Sequence, residues 1–123
     1  VSTAADFLAF ARVLRNRGMY RGTRLLSTRA VERLTTNHLT PDQLATAGVL
    51  LEPEGWGYGM AVATEPDEVS AIPGRYGWIG GYGTVWFNDP HRDLTAIALT
   101  QTSDFIFNGG RTEFARLAIQ AAD

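Results

Sequence analysis

Between residues 76 and 90 the chain places Gly77, Gly80, Gly81 and Gly83 among Tyr76, Trp78, Tyr82 and Trp86. Read as one extended strand closing in an Asp89-Pro90 turn, it puts the even-numbered aromatic residues on one face of the pleat. Gly77, Gly81 and Gly83 bare the opposite side, and Gly80 interrupts the aromatic row. Glycine weakens a strand and marks a place where a ligand or another backbone comes close. Uncovered N–H groups beside aromatic rings suit the holding of a small molecule. The same spacing serves equally a sheet that needs glycine for twist or for packing against a helix.

Other chemistries fail on residue type or spacing. All 11 basic residues are arginine. A lysine base, a Schiff base and a phosphate-binding lysine are therefore excluded within these residues, and so are Ser-x-x-Lys and Walker motifs. No Gly-x-Ser-x-Gly elbow occurs, and the glycines at 77, 80, 81 and 83 do not fit the dinucleotide fingerprint. His38 and His91 are the only histidines and have no ligand spacing around them, so both read as solvated groups and no metal is expected. Glu52, Glu54, Glu65, Asp67 and Glu68 fall in loops, where solvated charge is the ordinary reading. No self-sufficient catalytic set exists in these residues. Zero cysteines exclude disulfide and thiolate chemistry and leave the compartment open. A net charge of -2 and a pI near 5.6 give no reason to expect nucleic acid or an anionic membrane. No apolar run approaches the roughly 18 residues of a membrane span, so no membrane insertion is expected, and no charged-then-apolar leader opens the sequence.

The elements that must position the glycine-rich stretch follow from the pattern around it. Ser2 or Thr3 caps a first helix whose apolar stripe is Phe7, Phe10, Ala11, Val13 and Leu14, with Gly18 as its stop. Gly22 turns a short connector, and Ser27 caps a second helix over residues 28–36. Residues 37–54 read as a long polar segment with one helical turn after Thr40-Pro41-Asp42-Gln43. Residues 56–63 alternate large and small, predicting a strand with Trp56, Tyr58, Met60 and Val62 on one face. An acidic loop, the glycine-rich strand, a tight turn at Asp89-Pro90-His91-Arg92-Asp93, a strand over 94–102 and a helix over 112–122 complete the chain. The fold class is α+β: an antiparallel sheet of about three strands, flanked by N-terminal helices and a C-terminal helix. A length of 123 residues fits one domain with a modest core.

Several stretches, in order, resemble the C-terminal part of the serine β-lactamase and penicillin-binding-protein superfamily, in its branch of class C-like β-lactamases, esterases and D-alanyl peptidases. They are Val1-Ser2-Thr3-Ala4-Ala5-Asp6-Phe7, Leu25-Leu26-Ser27, Leu34-Thr35-Thr36-Asn37-His38-Leu39, Gly55-Trp56-Gly57-Tyr58-Gly59-Met60, and the glycine-rich stretch with Asp89-Pro90. In this register Trp78-Ile79-Gly80 stands where the superfamily carries Lys-Thr-Gly, His-x-Gly or Trp-x-Gly. The resemblance implies that the Gly81 amide completes an oxyanion hole. It also implies that Trp78, Ile79, Gly80 and Tyr82 line the substrate pocket, with Gln101 and Asn108 at its rim and no cofactor. A neutral Trp78 offers an indole N–H but no charge, which disfavours β-lactam or D-Ala-D-Ala substrates and favours a less charged ester or amide. The family's Ser-x-x-Lys and Tyr-x-Asn motifs are absent: the residues two past Tyr20, Tyr58, Tyr76 and Tyr82 are Gly22, Met60, Trp78 and Thr84. Residues 1–123 are therefore expected to be a single partial domain. Its partner is expected to be the N-terminal half of the same protein, or a self-associating copy pairing with an exposed sheet edge. The alternative is a non-catalytic binding or assembly domain derived from the same fold.

Overall fold

In a computed structural model, which describes residues 2–47 and 54–123, the chain forms a sheet with helices on both faces. Val1, Glu52 and Pro53 lie outside the described residues. Helix α1, Ala4–Arg15, starts where Thr3 accepts the Asp6 amide and ends near Gly18, whose φ is +89°. Strands β1, Met19–Tyr20, and β2, Thr23–Arg24, form a separate small hairpin. Ser27 caps α2, Thr28–Leu34, and Thr40 with Gln43 forms a capping box at α3, Pro41–Thr46.

The main sheet has five strands in meander order: β3, Gly55–Trp56; β4, Ala61–Val62; β5, Tyr76–Gly80; β6, Thr84–Asp89; and β7, Leu94–Leu99. All neighbours pair antiparallel. Helices α4, Asp104–Phe107, and α5, Gly110–Gln120, follow. The α+β class and its flanking helices are as expected; the strand count is not. Each of the two glycine-rich runs read as one strand folds back on itself.

Over residues 76–90 the reversal comes at Gly81-Tyr82-Gly83. The Gly83 amide donates to the Gly80 carbonyl at 2.9 Å, and Gly83 has φ +93° while Gly81 and Tyr82 stay out of the left-handed region. That is a three-residue hairpin loop, a type I turn followed by a left-handed residue. Trp78 and Trp86 lie directly opposite one another and do share a face, but Tyr82 sits in the turn and is 83% exposed. The run over 56–63 breaks at Gly57-Tyr58-Gly59-Met60, where the Gly57 amide donates to the Met60 carbonyl at 2.9 Å. Tyr58 is therefore half exposed in a turn, while Met60 and Val62 are buried.

Two apolar clusters hold the sheet between its helices. On one face Leu14, Val31, Met60, Val62 and Tyr76 join α1 and α2 to the strands. On the other, Phe87 and Ala96 pack against Ala115 and Ile119 of α5. Asn88, fully buried, ties the first face together. Its Nδ2 donates to the Ala11 carbonyl at 2.9 Å and to the Tyr76 hydroxyl at 3.1 Å, and its Oδ1 accepts from Thr95 at 2.7 Å.

Candidate functional site

Strand β5 is sheathed by β6 along its whole length, but β4 covers only its first two residues, through Val62↔Tyr76 and Ala61↔Gly77. The cause is local. Extending the β4 register would bring Gly59 opposite Ile79, yet Gly59 lies in the preceding turn at φ +87°, so the ladder cannot continue. Alternation of the ladder then decides which amides are free. The Ala63 amide donates to the Arg75 carbonyl at 2.8 Å, which aims residues 75, 77 and 79 towards β4; the Gly80 carbonyl is taken on the β6 side. The N–H and C=O of Ile79 therefore point out of the uncovered edge.

Gly81, next in that odd series, opens the hairpin loop. Its amide meets no acceptor among the described residues, it is exposed, and a Cβ placed on it would have nothing within 4 Å. Gly77 differs: a Cβ there would run into the Trp86 carbonyl and the Phe87 backbone, so that glycine serves the close approach of β6. The structural reading of the glycines thus accounts for Gly77 and Gly83. It leaves Gly81 unexplained.

Beside the open edge lies a cavity of about 340 Å³. Trp78, Ile79 and Gly77 form its β5 wall, while Asp67, Arg75 and Arg111 bring charge to it. The loop between β4 and β5 is held there by a buried Arg75–Asp67 ion pair at 2.5 Å. Burial pushes the Asp67 carboxyl up, but the Arg75 hydrogen bond and the Ser70 and Val69 amides outweigh it and hold it below its usual value. Thr112, in the first turn of α5, donates to Glu68 at 3.1 Å across the same region. A second cavity, about 350 Å³, opens on the α1 face; Trp78 and Trp86 belong to both. Trp56 meets Trp78 edge to face, ring centres 4.5 Å apart.

The residues expected at a site are partly brought together. Trp78 and Ile79 line the cavity. Gly80 pairs with Thr84, whose hydroxyl fills the space beside it. Gly81 and Tyr82 form the hairpin end and line neither cavity. Gln101 is exposed in the segment backing that hairpin, where Thr100 donates to the Gly83 carbonyl at 2.8 Å. Asn108 lies apart at the end of α4, accepting the Gly110 amide at 3.3 Å. His38 and His91 are both exposed, with His38 stacked on Tyr58 at 4.3 Å. Sequence reasoning missed the cavity's charged wall. The only signal for it was a pair of opposite charges, Asp67 and Arg75, flanking a loop that ends at a glycine-rich strand.

A helix-flanked antiparallel sheet with one partly bared inner strand defines a class before any comparison. The family model for β-lactamase matches residues 1–121, and the chain belongs to the β-lactamase family. It is 37% identical over 109 residues to the uncharacterized protein MT1414 and to protein Rv1367c, from two strains of Mycobacterium tuberculosis. That match takes in 81% of this chain but 27% of the relatives, so the chain spans about a quarter of their length. Among solved structures, a mutant of simvastatin synthase (LovD) from Aspergillus terreus superposes with a TM-score of 0.75 at 18% identity, covering 97% of this chain and 33% of that one. A penicillin-binding protein homologue from Caulobacter crescentus gives a TM-score of 0.61 at 23% identity, covering 92% and 30%. At these identities the two structures share the fold.

Proposed function

We propose that this chain supplies the oxyanion-binding strand and one pocket wall of a serine hydrolase or acyltransferase of the β-lactamase family. The attacking hydroxyl comes from residues outside these 123. One observation carries the reading: among the described residues the main chain at Ile79 and Gly81 is left unpaired beside Trp78, in a chain of the β-lactamase family, for which the resemblance implies an acyl-enzyme. When a serine oxygen adds to an ester carbonyl, the carbonyl oxygen takes up the electron pair and becomes negative. A fixed N–H aimed at that oxygen favours the transition state over the ground state. Collapse of the intermediate expels the alcohol, and water then releases the acid. Trp78 contributes a wall and an uncharged donor, so the preferred substrate is an ester or amide without a carboxylate at that position.

Gly81 occupies the second position of a type I turn, a place proline favours, and its predecessor is extended as proline requires. Gly81→Pro therefore removes the N–H while keeping the turn, and Gly81→Ala keeps both. In the protein that carries this chain, assayed on a chromogenic ester, Gly81→Pro is expected to lower kcat by about a hundredfold or more, roughly 3 kcal/mol, with KM little changed. Gly81→Ala is expected to stay near the parent. Equal rates for parent and proline variant would remove Gly81 from the mechanism. No turnover by the parent on any ester or amide would favour a non-catalytic binding or assembly role.

A further inference from the structure

Strand β3 is two residues long, yet its one large side chain reaches the residue beside the open edge. Its pairs with β4 are Gly55↔Val62 and Trp56↔Ala61, and the Gly57 amide returns to the Met60 carbonyl at 2.9 Å. Alternation of the ladder turns the N–H and C=O of Trp56 away from β4. Both are taken by the segment between α2 and α3. Asn37 Oδ1 accepts the Trp56 amide at 3.0 Å, and the His38 amide donates to the Trp56 carbonyl at 2.8 Å. The same Oδ1 accepts the Leu39 amide at 3.0 Å, while Asn37 Nδ2 donates to the Leu39 carbonyl at 3.1 Å, so the carboxamide is itself fixed. The flanking glycines admit this segment: a Cβ on Gly55 would collide with the Asn37 side chain, and one on Gly57 with the Leu34 carbonyl. From Trp56 the cross-strand row runs through Ala61 to Gly77, which bring one methyl group and none. With so little side chain between β3 and β5, the half-buried Trp56 and Trp78 rings meet at an interplanar angle of 89°.

We infer that Asn37 and Trp56 are positioning residues for Trp78: they hold its ring in one orientation beside Ile79 and so fix the pocket wall that the substrate meets. The inference rests on the hydrolase reading above and adds specificity-determining residues to it. Two observations carry it. Trp56 has both main-chain groups committed to Asn37 and His38, so its ring is placed by that segment and not by β4 alone. Its edge-to-face contact with Trp78 favours one orientation of a side chain that lines the cavity at the open edge.

The test is made in the protein that carries this chain, by hydrolysis of a chromogenic ester and by far-ultraviolet circular dichroism, where two indoles this close give a paired positive and negative band. Trp56→Leu fills the space without a ring and is expected to raise KM about fivefold, the worth of one such ring pair. Its kcat is expected to change little, because the oxyanion is held by the main chain and not by Trp78. Trp56→Phe keeps a ring edge and is expected to hold the parent KM while losing the paired band. Asn37→Ala is expected to raise KM by a similar factor and to weaken the band. In the Trp56→Leu background it is expected to add nothing to KM, since it acts through that ring. Independent, additive effects on KM overturn the inference. So does a parent KM in Trp56→Leu with hydrolysis intact, which leaves the hydrolase reading standing. If Asn37→Ala does not fold, the two ring variants decide. A parent protein without turnover removes the hydrolase reading; the band then decides the positioning, and its persistence unchanged in Asn37→Ala overturns it.

Discussion

Asn88 makes three hydrogen bonds from inside the sheet, joining β5, β7 and α1 through Tyr76, Thr95 and the Ala11 carbonyl. Replacing it with alanine removes all three bonds and leaves the buried Tyr76 hydroxyl unpaired, at an expected cost of about 3 kcal/mol in denaturant unfolding. Tyr76→Phe removes one partner but leaves Asn88 its other two, and about 1 kcal/mol is expected. A smaller loss for Asn88→Ala than for Tyr76→Phe would mean that Asn88 is not the tie. At Trp78 the issue is charge. In the register that the resemblance implies, Trp78→Lys places an ammonium group where the superfamily often carries one, and it is expected to lower KM for anionic esters about tenfold relative to neutral ones. An unchanged ratio would show that the side chain does not meet substrate. Trp78 and Ile79 were singled out in the sequence because their register fits a family motif, and both line the cavity. Asn88, which follows Val85-Trp86-Phe87, carried no signal in its spacing, nor did Arg111, since its place in the cavity depends on how α5 folds back over the sheet.

At the scale of elements, every helix expected from capping residues and apolar stripes was found, because those signals are local. The strands were harder to read, since large–small alternation has the same period on both arms of a hairpin and glycine marks a turn as readily as a bared strand. Gly83 and Gly59 decided the matter through their positive φ, which no spacing rule reveals. The loop between β4 and β5 supplies a pH-dependent test. Asp67 has a lowered carboxyl pKa in the fold, so its ion pair with Arg75 contributes fully above the unfolded carboxylate value near 3.8. That contribution is lost as pH falls through the lower, folded value. Asp67→Asn is expected to cost about 2 kcal/mol at pH 6 by leaving Arg75 buried without its counter-charge. It is also expected to flatten the loss of stability between pH 4 and pH 2. A variant whose acid unfolding curve overlays the parent would show that the pair does not hold the loop.

For the molecule as a whole, the outer edge of β7 matters most. The Thr100 amide donates towards Gly83, which by alternation aims the N–H groups of Thr95, Ile97 and Leu99 away from β6, at an edge paired with no strand among the described residues. Leu99 is 56% exposed there. An uncovered strand of this length is a template for another, and proteins commonly guard such edges with lysine, a residue this chain lacks altogether. The isolated chain is therefore expected to self-associate with rising concentration in sedimentation equilibrium. Leu99→Lys, an exposed substitution that leaves the β6–β7 ladder intact, is expected to weaken that association at least tenfold without changing the unfolding midpoint of the dilute chain. If the parent stays monomeric at high concentration, the β7 edge is closed by something other than strand pairing. If the lysine variant associates as strongly as the parent, association runs through another surface, and the half-exposed Phe10 and Tyr58 side chains on the α1 face are the next to be substituted.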